Sequence, residues 1–136
     1  MKPPNPAPVN LFDPRCPSRR FLELVGDKWT LLVLTALAGE PRRTSDLKRK
    51  VGGISQKVIS TTLRKLEEHG LVSRSVYPEV PPRVEYELTR LGRSLEKAVV
   101  VLDRWIEQNF HAVAAAKARY AERPHTKPGW QIPRVA

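Results

Sequence analysis

Cysteine is nearly absent from this 136-residue chain, and histidine is scarce. A lone Cys16 excludes an internal disulfide framework and any cysteine-cluster metal site. His69, His111 and His125 are too scattered to form a ligand pair at helical spacing, so neither a metal nor another cofactor is expected. A single thiol with no histidine near it in sequence has no identifiable base, and the chain does not read as an enzyme. Long apolar runs are missing too: none approaches the roughly 20 residues of a membrane span. Met1-Lys2 is followed by prolines where a signal peptide would carry its apolar core. The expectation is a cytoplasmic protein with no membrane partner. Acids are the last shortage, with 14 Asp and Glu against 24 Lys and Arg, and the resulting net charge of +10 favours a polyanionic partner.

What is present is organised around one core, which is all that this length supports comfortably. Prolines crowd the ends, six within residues 1–17 and three within 123–136. Residues 1–15 therefore read as an extended arm and 121–136 as a tail, flanking a folded domain at 16–120. Pro17 suits the first turn of a helix that ends near Gly26, with Phe21, Leu22, Leu24 and Val25 as its apolar face. Asp27 can cap a second helix that is apolar almost all round, which implies a central position. A third, over about residues 45–51, starts at Thr44 or Ser45 and turns Leu47 and Val51 inward. After Gly52-Gly53, Ser55 caps a fourth helix in which Ile59, Leu63 and Leu66 recur up to the Gly70 stop.

The other face of that fourth helix carries Gln56, Lys57, Ser60, Thr61, Arg64 and Lys65, all of them hydrogen-bond donors. Two alternating segments follow, Leu71 to Tyr77 and Arg83 to Leu88, joined by Pro78-Glu79-Val80-Pro81-Pro82 as a hairpin. Helix, turn, helix, hairpin is the order of a winged helix-turn-helix. The fold class expected is mainly α with a small β-hairpin. Thr89 then caps a long helix, about residues 90–120, striped by Leu91, Leu95, Ala98, Leu102, Trp105 and Ile106. The stripe exceeds what one small domain can cover. Leu95, Leu102, Trp105 and Ile106 are candidate contacts with the same helix of a second subunit, intramolecular packing being the other reading.

These residues resemble the HxlR family of bacterial transcription regulators, close to the MarR-type winged helices. The resemblance runs from Cys16-Pro17 through Gly26-Asp27-Lys28-Trp29-Thr30-Leu31-Leu32, Gly53-Ile54-Ser55-Gln56-Lys57-Val58 and Leu63-Arg64-Lys65-Leu66-Glu67 to Gly70-Leu71-Val72. It continues over Val80-Pro81-Pro82-Arg83-Val84-Glu85-Tyr86, Leu88-Thr89 and Leu91-Gly92, so it spans the whole expected domain. Thr44 stands where the family usually has an aromatic, and Gly52-Gly53 where it usually has Pro-Gly, which implies less packing under the third helix and a freer turn. The resemblance implies a homodimer with the fourth helix in the major groove, the wing near the minor groove, and regulation of nearby genes.

On that frame the partner is double-stranded promoter DNA with an inverted-repeat operator, and repression by occupancy is the expected effect. Ser55, Gln56, Lys57, Ser60 and Thr61 are placed to read bases, with Arg64 and Lys65 nearer the backbone. Arg42 and Arg43 would meet phosphates ahead of the third helix, and Arg83 on the wing would touch a phosphate or the minor groove. Residues 41–77 hold nine Lys or Arg against three acids, a local +6. The alternative is a winged helix that docks a protein without specific DNA binding. Cys16 has two readings as well. Nearby Arg15, Arg19 and Arg20 and a helix N-terminus would favour a reactive thiolate, and the family implies a redox or electrophile sensor at this position. The other reading is a small buried residue. The sequence names no effector.

Overall fold

The computed structural model describes residues 8–123, which leaves most of the expected tail and the first part of the expected arm outside the described residues. Residues 10–15 form turns rather than an extended run: the Asp13 N–H donates to Asn10 O and the Cys16 N–H to Asp13 O, at 3.2 and 3.0 Å. The Arg19 guanidinium fastens the segment by donating to the Leu11 and Phe12 carbonyls, both at 3.2 Å. Helix α1 (Pro17–Val25) starts on a proline, as its sequence requires, and ends at Gly26. Leu22, expected to face inward, is exposed. It lies about 100° round the helix from Phe21, at the edge of the face that Phe21, Leu24 and Val25 turn inward.

Helix α2 (Lys28–Ala36) begins where the Asp27 carboxylate accepts the N–H groups of Trp29 and Thr30, at 2.9 and 3.3 Å. Val33, Leu34, Ala36 and Leu37 are buried, together with Thr30, so the helix is central, although Leu32 reaches solvent. Helix α3 (Thr44–Lys50) has Arg43 as its N-cap, not Thr44 or Ser45. The reason is three residues on: the Asp46 carboxylate accepts the Arg43 N–H at 3.3 Å and fixes the first turn one residue earlier. In the turn that follows, Gly53 takes φ +84, while Gly52 stays outside the left-handed region. The turn therefore keeps its required glycine.

Helix α4 (Gln56–Glu68) is capped by Ser55, whose hydroxyl accepts the Val58 N–H at 3.1 Å, and buries Ile59, Thr62, Leu63 and Leu66. It stops at His69 and Gly70, the glycine supplying φ +72. Strands β1 (Val72–Tyr77) and β2 (Arg83–Leu88) pair antiparallel, from Val72 opposite Leu88 at the buried root to Tyr77 opposite Arg83 at the tip. Arg42 and Tyr86 exchange backbone hydrogen bonds at 2.8 Å in both directions, which stitches the approach to α3 onto β2.

Helix α5 (Arg90–Ala121) is entered through Thr89, whose hydroxyl accepts the Gly92 N–H at 3.0 Å and donates to the Gly70 carbonyl at 2.6 Å. The Thr89 N–H also donates to Leu71 O at 3.0 Å. Leu95 packs against the core with buried Val99. Residues up to Val100 make one compact unit and those from Val101 a second. Within the second, Leu102, Trp105, Ile106, Phe110 and Val113 are all exposed. Among the described residues no helix is long and apolar enough to cross a membrane.

Candidate nucleic-acid interface

The core residues of α4 leave its opposite side free, and there Gln56, Lys57, Ser60 and Arg64 are exposed and Thr61 is half-buried. The Gln56 amide donates to the Ser60 hydroxyl at 3.2 Å, so these two polar groups are oriented together one turn apart. Ser55 uses an oxygen lone pair in the cap and keeps its O–H for another acceptor. Arg64 lies 3.8 Å from Glu68, a loose exposed pair of little strength. Lys57 makes no ion pair among the described residues, and its ammonium is the unpaired cation of the first turn. Lys65 is turned toward the side of α4 that faces α1, where it lines a cavity.

Two of the expected phosphate contacts have acidic neighbours within the chain. Arg42 is mostly covered and pairs with Glu40 at 3.2 Å. Arg83 sits between Glu79 at 3.4 Å and Glu85 at 3.6 Å, with its guanidinium over the Tyr77 ring at 4.2 Å. Both guanidinium groups thus have carboxylate neighbours at the wing's root and tip. Tyr77, Glu79 and Glu85 were not singled out in the sequence. The strand period was the available signal, since Glu85 is two residues from Arg83 on one face and Tyr77 is its cross-strand neighbour. Arg43, Lys48 and Lys50 remain exposed beside α4, whereas Arg49 is drawn onto Asp46. Arg74 reaches back from β1 to Glu67 at 3.5 Å.

Cys16 is the N-cap residue of α1 and is half-buried, with Sγ 3.0 Å from the Ser18 hydroxyl. Its thiol is held below the ordinary value, first by the backbone N–H of Asn10 and then by the Ser18 hydroxyl and N–H, against small opposing effects of burial and Asp13. The expected arginines are not the cause. Arg15 is drawn to Asp13, whose carboxyl it holds below its usual range, and Arg19 is spent on the Leu11 and Phe12 carbonyls.

The HxlR-like helix-turn-helix family model matches residues 24–114, most of the described chain. The chain belongs to this family. Among its HxlR-like relatives, the HTH-type transcriptional regulator YtfH of Escherichia coli is 45% identical over 108 residues, covering 79% of this chain and 86% of YtfH. A solved structure of the ytfH regulator of Salmonella typhimurium superposes with a TM-score of 0.76 at 45% identity, covering 80% of this chain and 97% of that one. The redox regulator HypR, solved in its reduced form, matches with a TM-score of 0.67 at 34% identity, over 73% of this chain and 98% of HypR. This HxlR-like chain is accordingly a winged helix-turn-helix of the MarR-like kind, extended by the long α5.

Proposed function

We propose that the chain is a homodimeric transcription regulator, repressing by occupancy, that lays α4 in the major groove of an inverted-repeat promoter operator. The observation that carries this reading is the outer face of α4, where a preoriented Gln56–Ser60 pair adjoins the unpaired Lys57 ammonium, with Arg43, Lys48 and Lys50 exposed nearby. Gln56 and Lys57 match adenine and guanine edges, Ser55, Ser60 and Thr61 supply further donors, and Arg43 and Arg64 suit phosphates. Arg42 and Arg83, each beside a carboxylate at the wing, are placed for the backbone and for a phosphate or the minor groove. The domain at 16–120 contains all of these parts.

The test is a mobility-shift titration on the promoter of the protein's own gene. Gln56→Ala with Lys57→Ala should cost about 100-fold on the best site and flatten the preference between sites. Arg43→Ala should weaken every DNA by roughly 5-fold and lower the log-log salt slope by about 1. A double variant that keeps both affinity and preference refutes the placement of α4. Weak, salt-insensitive DNA binding by the unmodified protein would instead favour a protein-docking winged helix.

A thiol switch at Cys16 is supported by the lowered thiol and by the likeness to a regulator named for redox control. Because the thiolate is the reacting form and its pKa is depressed, alkylation of Cys16 by iodoacetamide should remain fast at pH values where the urea-unfolded chain has slowed. Coincident rate profiles would remove the physical basis of the switch, as would unchanged DNA affinity after complete alkylation.

A further inference from the structure

Lys28 stands outside the set of residues expected to touch DNA. It is the first residue of α2, it is exposed, and it makes no ion pair among the described residues. The Asp27 carboxylate beside it in sequence is taken up by the Trp29 and Thr30 N–H groups of the helix cap. The Lys28 ammonium lies instead over the Trp29 ring, 4.6 Å from its centroid. That ring is half-buried against the core, and its Cη2 atom lies 3.9 Å from where a Cβ on Gly53 would be. Gly53, at φ +84, makes the turn from α3 into α4 two residues ahead of the Ser55 cap. Trp29 also shares one recess with Lys57, Val58 and Thr61 of the first turns of α4. A single indole therefore adjoins both the ammonium of Lys28 and the turn that launches α4.

We infer that Lys28 is a further DNA contact, supplied by α2, whose ammonium meets a backbone phosphate beside the point where the first turn of α4 enters the groove. The inference rests on the reading of α4 given above. Phosphates line both rims of a groove, so a cation next to the entering end of a helix meets one before any base edge. A lysine that is free in solvent loses side-chain entropy when it makes such a contact. The Trp29 ring has already restricted this one, and the ammonium has three donors, more than the ring can use. A phosphate contact carries no sequence information, so Lys28 strengthens binding to every duplex alike.

The test is Lys28→Gln, an exposed change, measured by mobility shift with the full-length protein on the promoter of its own gene and on an unrelated duplex. Both affinities should fall about 5-fold, with a log-log salt slope lower by about 1 for each half-site bound and the preference between the two duplexes unchanged. Lys28→Arg should recover most of the loss, because a guanidinium also pairs with phosphate. Lys117→Gln removes the same charge near the far end of α5 and is the control; a cation that touches no phosphate releases no counterion, so it should cost under about 2-fold. Ethylation interference on the promoter should lose one phosphate position per half-site with Lys28→Gln and none with Lys117→Gln. Equal losses for the two variants, or an unchanged set of interfering phosphates, overturns the contact. If Gln56→Ala with Lys57→Ala nonetheless flattens the preference between sites, the reading of α4 survives that result. An unmodified protein that does not prefer its promoter to the unrelated duplex ends both.

Discussion

Replacing Trp105 and Ile106 together with glutamate should convert the protein to a monomer and lower its affinity for an inverted-repeat promoter site by at least about 100-fold. In the second unit, Trp105 is 55% and Ile106 46% exposed, in line with Leu102, Phe110 and Val113 at helical spacing. A contiguous apolar stripe of this kind is uncommon on a monomer, and a two-fold axis lets one copy of the stripe cover another. Two half-sites one DNA turn apart are then held by one particle, and splitting the particle loses the advantage of the second contact. Sedimentation velocity measures the mass, circular dichroism establishes that α5 is still helical, and mobility shifts give the affinity. A variant that still sediments as a dimer would place the interface elsewhere. Leu95, by contrast, packs against the core of its own chain, so its loss should register in stability before assembly.

The second large effect is on folding. Gly92→Ala should destabilise the protein by about 3 kcal/mol, lowering the melting temperature by on the order of 10–20 °C. A Cβ on Gly92 would lie 1.9 Å from the Leu71 carbonyl oxygen and 2.9 Å from its carbon. Those are backbone atoms, and the same oxygen accepts the Thr89 N–H, so α5 would have to lift from the end of α4. Gly52→Ala is the matched control. Nothing lies within 4 Å of the Cβ position there and φ is not left-handed, so its effect should stay within about 0.5 kcal/mol. Thermal denaturation of the two variants decides: equal melting temperatures would mean that the close approach at Gly92 does not exist.

The sequence carried the elements well because each boundary is set by local chemistry. Pro17, Asp27, Ser55, Thr89 and Gly70 start or stop helices through their own backbone limits or a hydroxyl or carboxylate within reach, and the β2 limits match the alternating run. The cap of α3 escaped this logic because a carboxylate three residues ahead, not a hydroxyl at the cap, sets it. Leu22 and Leu32 escaped because hydrophobicity alone does not say which flank of a helix meets a neighbour. At the candidate interface the reading was weakest for long cations. A sequence shows that Arg42 and Arg83 are basic and near the wing, but not that Glu40, Glu79 and Glu85 lie 3.2 to 3.6 Å from their guanidinium groups. Gly92 stood in the sequence only as part of the Leu91-Gly92 resemblance, since only the path of Leu71 reveals what it touches.

The junction at Thr89 bears on how strictly an operator must be spelled. One hydroxyl accepts the N–H of Gly92 in the first turn of α5 and donates to the Gly70 carbonyl just past the end of α4, which ties the two helices across the root of the wing. On the proposed dimeric reading, two such heads sit over half-sites about one DNA turn apart. Adding or deleting a base pair at the centre of the operator, while leaving every contacted base in place, would turn one head out of phase with its groove. A preference for spacing is then an expected property of the proposed dimer and would need no further side chain that touches DNA.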